Sequence, residues 1–282
     1  MTLRIVTDST ADLPPALAAQ HAIGVVPLTV LFGDEQLRDG VDITSEKFFR
    51  RLVREQKLPT TSQPAPGDFR AAYETLIAEG ASEILSIHIS GKLSRTIESA
   101  RMGAEGLPAR IEHLDSGLAS LALGLGVMTA AMRAAAGASL DETRALVADQ
   151  FARTHLYFMV DTLEFLRRGG RIGRAQELIG SLLQFKPLLA IEAGVVEPIG
   201  RARTKQRALE ELLRLAGELR PIEQMMAVHA TTPDDLKFLV DRLYGLAPDA
   251  PITVGRITPV IGVHGGPGLL GFAVVTASRS AR

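Results

Sequence analysis

The chain has 282 residues, 46% hydrophobic, 22% charged and 5% aromatic, which excludes a disordered polymer and allows one large or two ordinary domains. Its 31 Lys and Arg stand against 32 Asp and Glu, a formal net charge of -1; there is no overall field to draw in nucleic acid or an anionic membrane, so any bound anion must meet a local site. With no cysteine and no tryptophan, disulfides, thiolate nucleophiles and Cys-ligated metal are excluded, and stacked-base recognition has little material.

Short apolar runs alternate with longer stretches of helical period, the punctuation of an α/β protein. LRIVT (3–7) predicts the first strand, and the start MTLRIVTDST has too short an apolar run for a signal peptide. No uncharged stretch reaches the roughly 20 apolar residues of a membrane span, so a cytoplasmic protein without stable membrane insertion is expected. A helix opened by Pro14 and Pro15 follows, then a strand VVPLTVLF (25–32) and helices over about 45–56 and 67–79. Between those helices Pro64 and Pro66 each fix a backbone torsion and remove a donor, so residues 60–66 are expected to form a stiff extended loop. EILSIHI (83–89) predicts a strand, with a helix from Ser94, a strand RIEHL (110–114) and a helix from about 117. That last helix, GLASLALGLGVMTAAMRAAA, has almost no polar face and is expected to lie buried between layers. Ser139 with Glu142 forms a capping box for a helix to about Arg153, and LYFMVDT reads as a strand.

From there the pattern changes. A Gly and Arg cluster (RRGGRIGRAQ) precedes LLAIEAGVVEPI, whose EAG turn predicts a hairpin that a purely parallel sheet would not contain. RTKQRALEELLRLAGEL and 233–246 read as helices; MMAVHA, ITVGRI, PVIGVH and GFAVVT read as strands. A division near residue 155 gives 1–155 and 156–282.

Chemistry-bearing residues sit at the punctuation. Asp8, Asp115 and Asp161 directly or nearly follow strands, where an open α/β sheet places ligands; they either hold magnesium for phosphoryl transfer or cap the next turn. GPGLLG (266–271) matches a dinucleotide fingerprint, but only 11 residues follow it, too few for the helix and acidic residue the motif needs. What remains is HGGPG (264–268), an imidazole delivered by the strand PVIGV beside flexible backbone, structural or ligand-binding. Ser94 stands where strand gives way to helix, either capping the first amides or, with them and the helix dipole, receiving an anion; Ser90 and Thr96 are neighbours for the same role.

In order and spacing, IVTDSTADLP, TTSQPAPGDF, SGKLSRTIESA, DSGLASLALG, VDTLEFLRRGGRIGRAQELIGSLLQFKPLL, RTKQRALEEL and VIGVHGGPGLLGFAV resemble the DegV family of bacterial fatty-acid-binding proteins across essentially the whole chain. The resemblance implies a two-domain α/β protein: an N-terminal three-layer α/β/α domain with a parallel sheet and a C-terminal two-layer α/β domain with a mixed sheet. One long-chain fatty acid would lie buried between them. It places the carboxylate-binding hydroxyls on Thr61 and Ser94 and the imidazole on His264. It further implies a carrier rather than an enzyme, without cofactor or metal, that presents the acyl carboxylate to a separate ATP-binding fatty-acid kinase subunit. Arg171 and Arg203 match the family's partner surface; as residues alone they read equally as a solvated basic loop. Arg95 and Ile97 depart from the family pattern, which usually has glycine and an aromatic there. Rival expectations are a magnesium-dependent phosphotransferase using Asp8 and Asp115 on a small metabolite, and a peptide or protein interaction module using the basic surface. No P-loop of the form GxxxxGK[ST] is present.

Overall fold

The computed structural model describes residues 2–55, 57–179 and 185–278. In chain order the strands are β1 (Leu3–Asp8), β2 (Gly24–Val26), β3 (Thr29–Phe32), β4 (Glu35–Arg38), β5 (Thr60–Ser62), β6 (Glu83–His88), β7 (Arg110–Asp115), β8 (Thr154–Met159), β9 (Lys186–Glu192), β10 (Val195–Ala202), β11 (Ile222–His229), β12 (Ile252–Arg256) and β13 (Leu270–Thr276). The helices are α1 (Pro15–Gln20), α2 (Ser45–Arg54), α3 (Pro66–Ala78), α4 (Thr96–Ala104), α5 (Ser120–Ala135), α6 (Leu140–Ala152), α7 (Glu164–Arg168), α8 (Lys205–Glu218), α9 (Pro233–Leu246) and α10 (Pro259–Gly265).

The N-terminal part carries a parallel sheet, β2-β1-β6-β7, and the C-terminal part a mixed sheet, β10-β9-β8-β13-β11-β12, antiparallel except for β11 with β12. Alternation along the parallel strands sends Val6 and Ile84 towards Phe69 and Tyr73 of α3, and Ile5, Leu85 and Ile87 to the opposite face, where α5 lies. Helices on both faces make the expected three layers. In the mixed sheet, Met159, Met225, Phe272 and Val274 pack on α8 and α9, whereas Leu156, Phe158, Val228 and Ala273 face the core that holds α5.

Helix α5 is therefore shared between the sheets, as its unpatterned apolar sequence predicts. Leu121, Ala122, Leu123, Gly124, Leu125, Gly126 and Val127 are buried in succession, each large side chain worth roughly 1.5–3 kcal/mol of burial. Gly124 is required there, because a Cβ would stand 2.6 Å from the Ala11 carbonyl oxygen. The capping box is present: the Glu142 amide donates to Ser139 Oγ, and the Ser139 amide donates back to the Glu142 carboxylate. The EAG turn closes the β9–β10 hairpin.

Several local expectations are corrected. VVPLTVLF is two strands in two sheets, because Pro27 cannot donate to a ladder and the chain turns there. Its second half, β3, joins β4 and β5 in a small antiparallel sheet with no counterpart in the expected architecture. Residues 60–62 are not loop but the edge strand β5, Thr61 opposite Val30. PVIGVH is helix α10 rather than a strand; so short and largely apolar a run has no diagnostic period, and Pro259 in the first turn starts a helix. Helix α2 is described to Arg54, and its expected end at 56 lies outside the described residues. No helix among the described residues is long and apolar enough to cross a membrane.

Candidate functional site

The seam between the sheets is tied by Asp12. Its carboxylate accepts the Thr258 amide (2.9 Å) and the Ser120 hydroxyl, joining the exit of β1, the start of α5 and the start of α10. Both Asp12 (φ 51°) and Ser120 (φ 55°) are left-handed without being glycine, a strain of order 1–3 kcal/mol each that surrounding bonds must hold. From Thr258, α10 runs to His264 in its last turn.

His264 Nε2 meets Thr61 Oγ1 at 2.9 Å across 203 residues of sequence. The other ring nitrogen, Nδ1, is buried without a partner among the described residues and lies against Gly169, where any Cβ would collide with it. Placing the proton on Nε2, which leaves the partnerless Nδ1 a bare acceptor rather than an unsatisfied donor, makes Thr61 Oγ1 the acceptor and leaves its own O–H free to donate into the adjoining space. Burial, and secondarily the Arg171 guanidinium, push the imidazole down to about 4, so it is neutral at pH 7. Arg171 is anchored by donating from Nε to the Leu93 carbonyl (3.0 Å) and from Nη1 to the Gly169 carbonyl (2.8 Å).

Thr61, Ser94, His264 and Arg171 share one cavity with Gln63. Its other walls are mostly apolar, including Leu28, Ile89, Phe158, Val196, Val228 and Leu269, drawn from both sheets, α10 and the intervening loops. About 120 Å³ is open to the centre of a water-sized sphere, roughly ten times what one water needs. The structure thus brings together the three residues expected from distant chain regions. Ser94 does not cap α4: the helix begins at Thr96, Arg95 stands at its N-cap, and Ser94 Oγ instead pairs with Thr96 Oγ1 at 2.8 Å while its amide bonds Ser90. Ser90 is committed elsewhere, donating to the Gly194 carbonyl. Arg95 is exposed and Ile97 buried, and neither lines the cavity.

Arg203 is exposed, its guanidinium 5.9 Å from the Phe185 ring centre. The strand-exit carboxylates each have separate partners: Asp8 accepts from Thr10 and from His88 Nδ1 (2.9 Å), Asp115 from the amides of Gly91 and Gly117, and Asp161 pairs with Lys186. No group of three or more His, Cys, Asp or Glu among the described residues is arranged to hold a metal. Ser86, His88 and Asp8 do hold the distances of a nucleophilic triad, 2.7 and 2.9 Å. All three are 0% exposed, however, and Tyr73 seals Ser86 from the far side at 2.7 Å, so no substrate reaches the hydroxyl.

Residues missed by sequence reasoning include Gln63, Thr10 and Ser120, which also line the cavity, and Gly169 against the imidazole. Gln63 was findable, since it lies two positions beyond Thr61 in extended chain and so on the same side; the others carry no sequence signal. Asp39 was also missed. It is 3% exposed, and neither oxygen makes a hydrogen bond of normal geometry among the described residues, although Ser9, Thr258 and the Val260 amide face it. Burial above all, with Asp12 adding repulsion, pushes it from 3.8 up to about 8, and burial likewise pushes Asp12 up to about 7. Groups whose folded pKa is raised contribute stability that is complete at acid pH and is lost as pH climbs through the folded value. Asp39→Asn keeps the shape and removes the titration. Its stability relative to the parent is therefore expected to rise by at least ~1 kcal/mol between pH 5 and pH 9 in urea unfolding; a difference independent of pH would contradict the protonated pair.

Comparison with known proteins gives a consistent picture. Residues 2–277 match the model of the family described as "Uncharacterised protein, DegV family". A DegV domain-containing protein of Streptomyces coelicolor is 40% identical over 279 residues, covering 98% of each chain, and Protein DegV of Bacillus subtilis is 34% identical over 278 residues, covering 96% of this chain and 98% of that one. Among solved structures, a DegV family protein from Thermus thermophilus, described by its fatty acid binding, superposes with TM-score 0.90 at 37% identity, covering 98% of this chain and 100% of that one. DegV from Bacillus subtilis, described as a fatty acid binding protein, superposes with TM-score 0.88 at 31% identity, covering 98% and 99%.

Proposed function

This chain belongs to the DegV family, and from that premise we propose that it binds one long-chain fatty acid, the carboxylate at Thr61, Ser94 and His264 and the tail in the cavity between the sheets. The observation that carries this reading is the convergence of Thr61, His264, Ser94 and Arg171 on one cavity whose remaining walls are mostly apolar. A carboxylate leaving water needs several charge-assisted bonds to offset its lost hydration. Thr61, backed by neutral His264, and Ser94, backed by Thr96, supply hydroxyl donors, and Arg171 supplies compensating charge. Residues 1–155 and 156–282 act as two domains with the lipid between them.

The protein works, on this reading, as a cytoplasmic carrier without cofactor, not as an enzyme. It presents the carboxylate to a separate ATP-binding kinase subunit, with Arg171 and Arg203 as the cationic surface that meets the phosphates. The partly exposed Thr61, Ser94 and Arg171 and the exposed Gln63 and Arg203 support access from outside. The rival phosphotransferase has little support, since Asp8, Asp115 and Asp161 are engaged by separate partners.

Thr61→Ala or Ser94→Ala should weaken palmitate binding by roughly 1–3 kcal/mol per lost bond, about 5- to 150-fold in displacement of a fluorescent fatty acid. Unchanged affinity in both variants would remove the site assignment. Arg203→Ala should leave palmitate affinity intact and slow acyl phosphorylation by a partner kinase; equal turnover with and without the arginine would remove it from the docking surface.

A further inference from the structure

A second cleft lies directly behind the acyl cavity, between the turns that follow β6 and β7 and the outer ends of β8 and β9. Two residues, Leu156 and Ile191, line both spaces. They are 5% and 8% exposed, and extending the β8–β9 register by one rung from Tyr157 opposite Ala190 sets them opposite each other. Leu156 lies two positions, about 7 Å, along β8 from Phe158, whose partner Gly271 follows the glycine turn after His264. Leu269, just before β13, lies against Gly265 beside the imidazole, and Leu156 faces Ala273 two positions past Gly271, so the pair stands farther along the sheet from the imidazole than Phe158 does.

The wall is held rigidly from outside. At the tip of the β9–β10 hairpin, Ala193 and Gly194 are both left-handed (φ 48° and 82°). Lys92 Nζ donates to the Ala193 carbonyl (2.9 Å) and Ser90 Oγ to the Gly194 carbonyl (2.8 Å). A Cβ on Gly194 would stand 2.6 Å from that same Ser90 oxygen, so hairpin and turn fit closely. Ile191 is thereby fixed two residues from a tethered turn, and Leu156 is fixed by strands on both sides.

Resting on the fatty-acid reading above, we propose that Leu156 and Ile191 are the chain-length stop of the acyl cavity. They are two branched side chains separating the tail from a cleft that would otherwise accept further methylenes. Past the stop the environment is mixed, with the Phe151 and Tyr157 rings beside His155, Lys92 and Glu192, so an acyl end admitted there gains apolar contact. Each methylene that gains burial adds roughly fourfold in affinity.

The test measures binding of saturated acids of 14 to 22 carbons to the full chain and to Leu156→Ala, Ile191→Ala and Val228→Ala, by displacement of a fluorescent fatty acid. Val228 lines the acyl cavity but not the outer cleft. Both partition variants should move the chain length of tightest binding upward by two or more carbons, raising the ratio of C20 to C16 affinity about tenfold, whereas Val228→Ala should lower affinity without moving the optimum. If the alanine variants fail to fold, Ile191→Val should shift the optimum the same way by a smaller step. An unmoved optimum in folded partition variants, or an equal shift in Val228→Ala, overturns the inference alone. A parent protein that binds none of these acids overturns the fatty-acid reading and the stop together.

Discussion

A single carboxylate, that of Asp12, holds the registry on which the site depends. It grips the Thr258 amide and the Ser120 hydroxyl, pinning α10 to the chain that leaves β1, an inner strand of the parallel sheet, and to the buried helix shared by both sheets. Because α10 is short, fixing Thr258 also fixes His264, six residues and roughly 9 Å further on. That is how an imidazole near the end of the chain comes to rest 2.9 Å from a threonine on the edge strand β5. The cost is local: two left-handed non-glycine residues and an acid kept well above its ordinary pKa by burial. The hydrogen bonds to Asp12 and the packing of α5 offset it.

The head of the cavity follows a consistent electrostatic logic. The imidazole, kept neutral by burial, adds no buried charge of its own and still holds the Thr61 hydroxyl by a hydrogen bond. The guanidinium that lines this cavity, Arg171, has its position set by two backbone carbonyls rather than by a carboxylate. An arginine already locked to a protein carboxylate would offer a ligand little, whereas one positioned by carbonyls keeps its net charge available. Gly169, having no Cβ, lets backbone approach the ring closely.

Legibility in the sequence tracked the strength of each local signal. An apolar helix without a polar face announces burial on all sides, and α5 has it; Ser139 with Glu142 names a helix start by mechanism, and EAG names a hairpin. That Thr61, Ser94 and His264 share one cavity was readable only through resemblance, because nothing in their spacing shows that they meet. PVIGVH illustrates the opposite limit: six residues, four of them buried, satisfy strand and helix patterns equally, and only the weight given to Pro259 decides. Ser94 misled for a related reason, since a serine near a helix start is a good cap only when the backbone places it there, and here the turn bonded to Ser90 delays the helix to Thr96. Asp39 gave no warning, as its burial is a property of the assembled fold alone.

The most direct test is a crystal structure of the protein with palmitate bound. The carboxylate should lie within hydrogen-bond distance of Thr61 Oγ1 and Ser94 Oγ, beside the His264 ring, with the tail running between the parallel and mixed sheets. A carboxylate bound elsewhere on the surface, or a tail directed outward into solvent, would contradict the account.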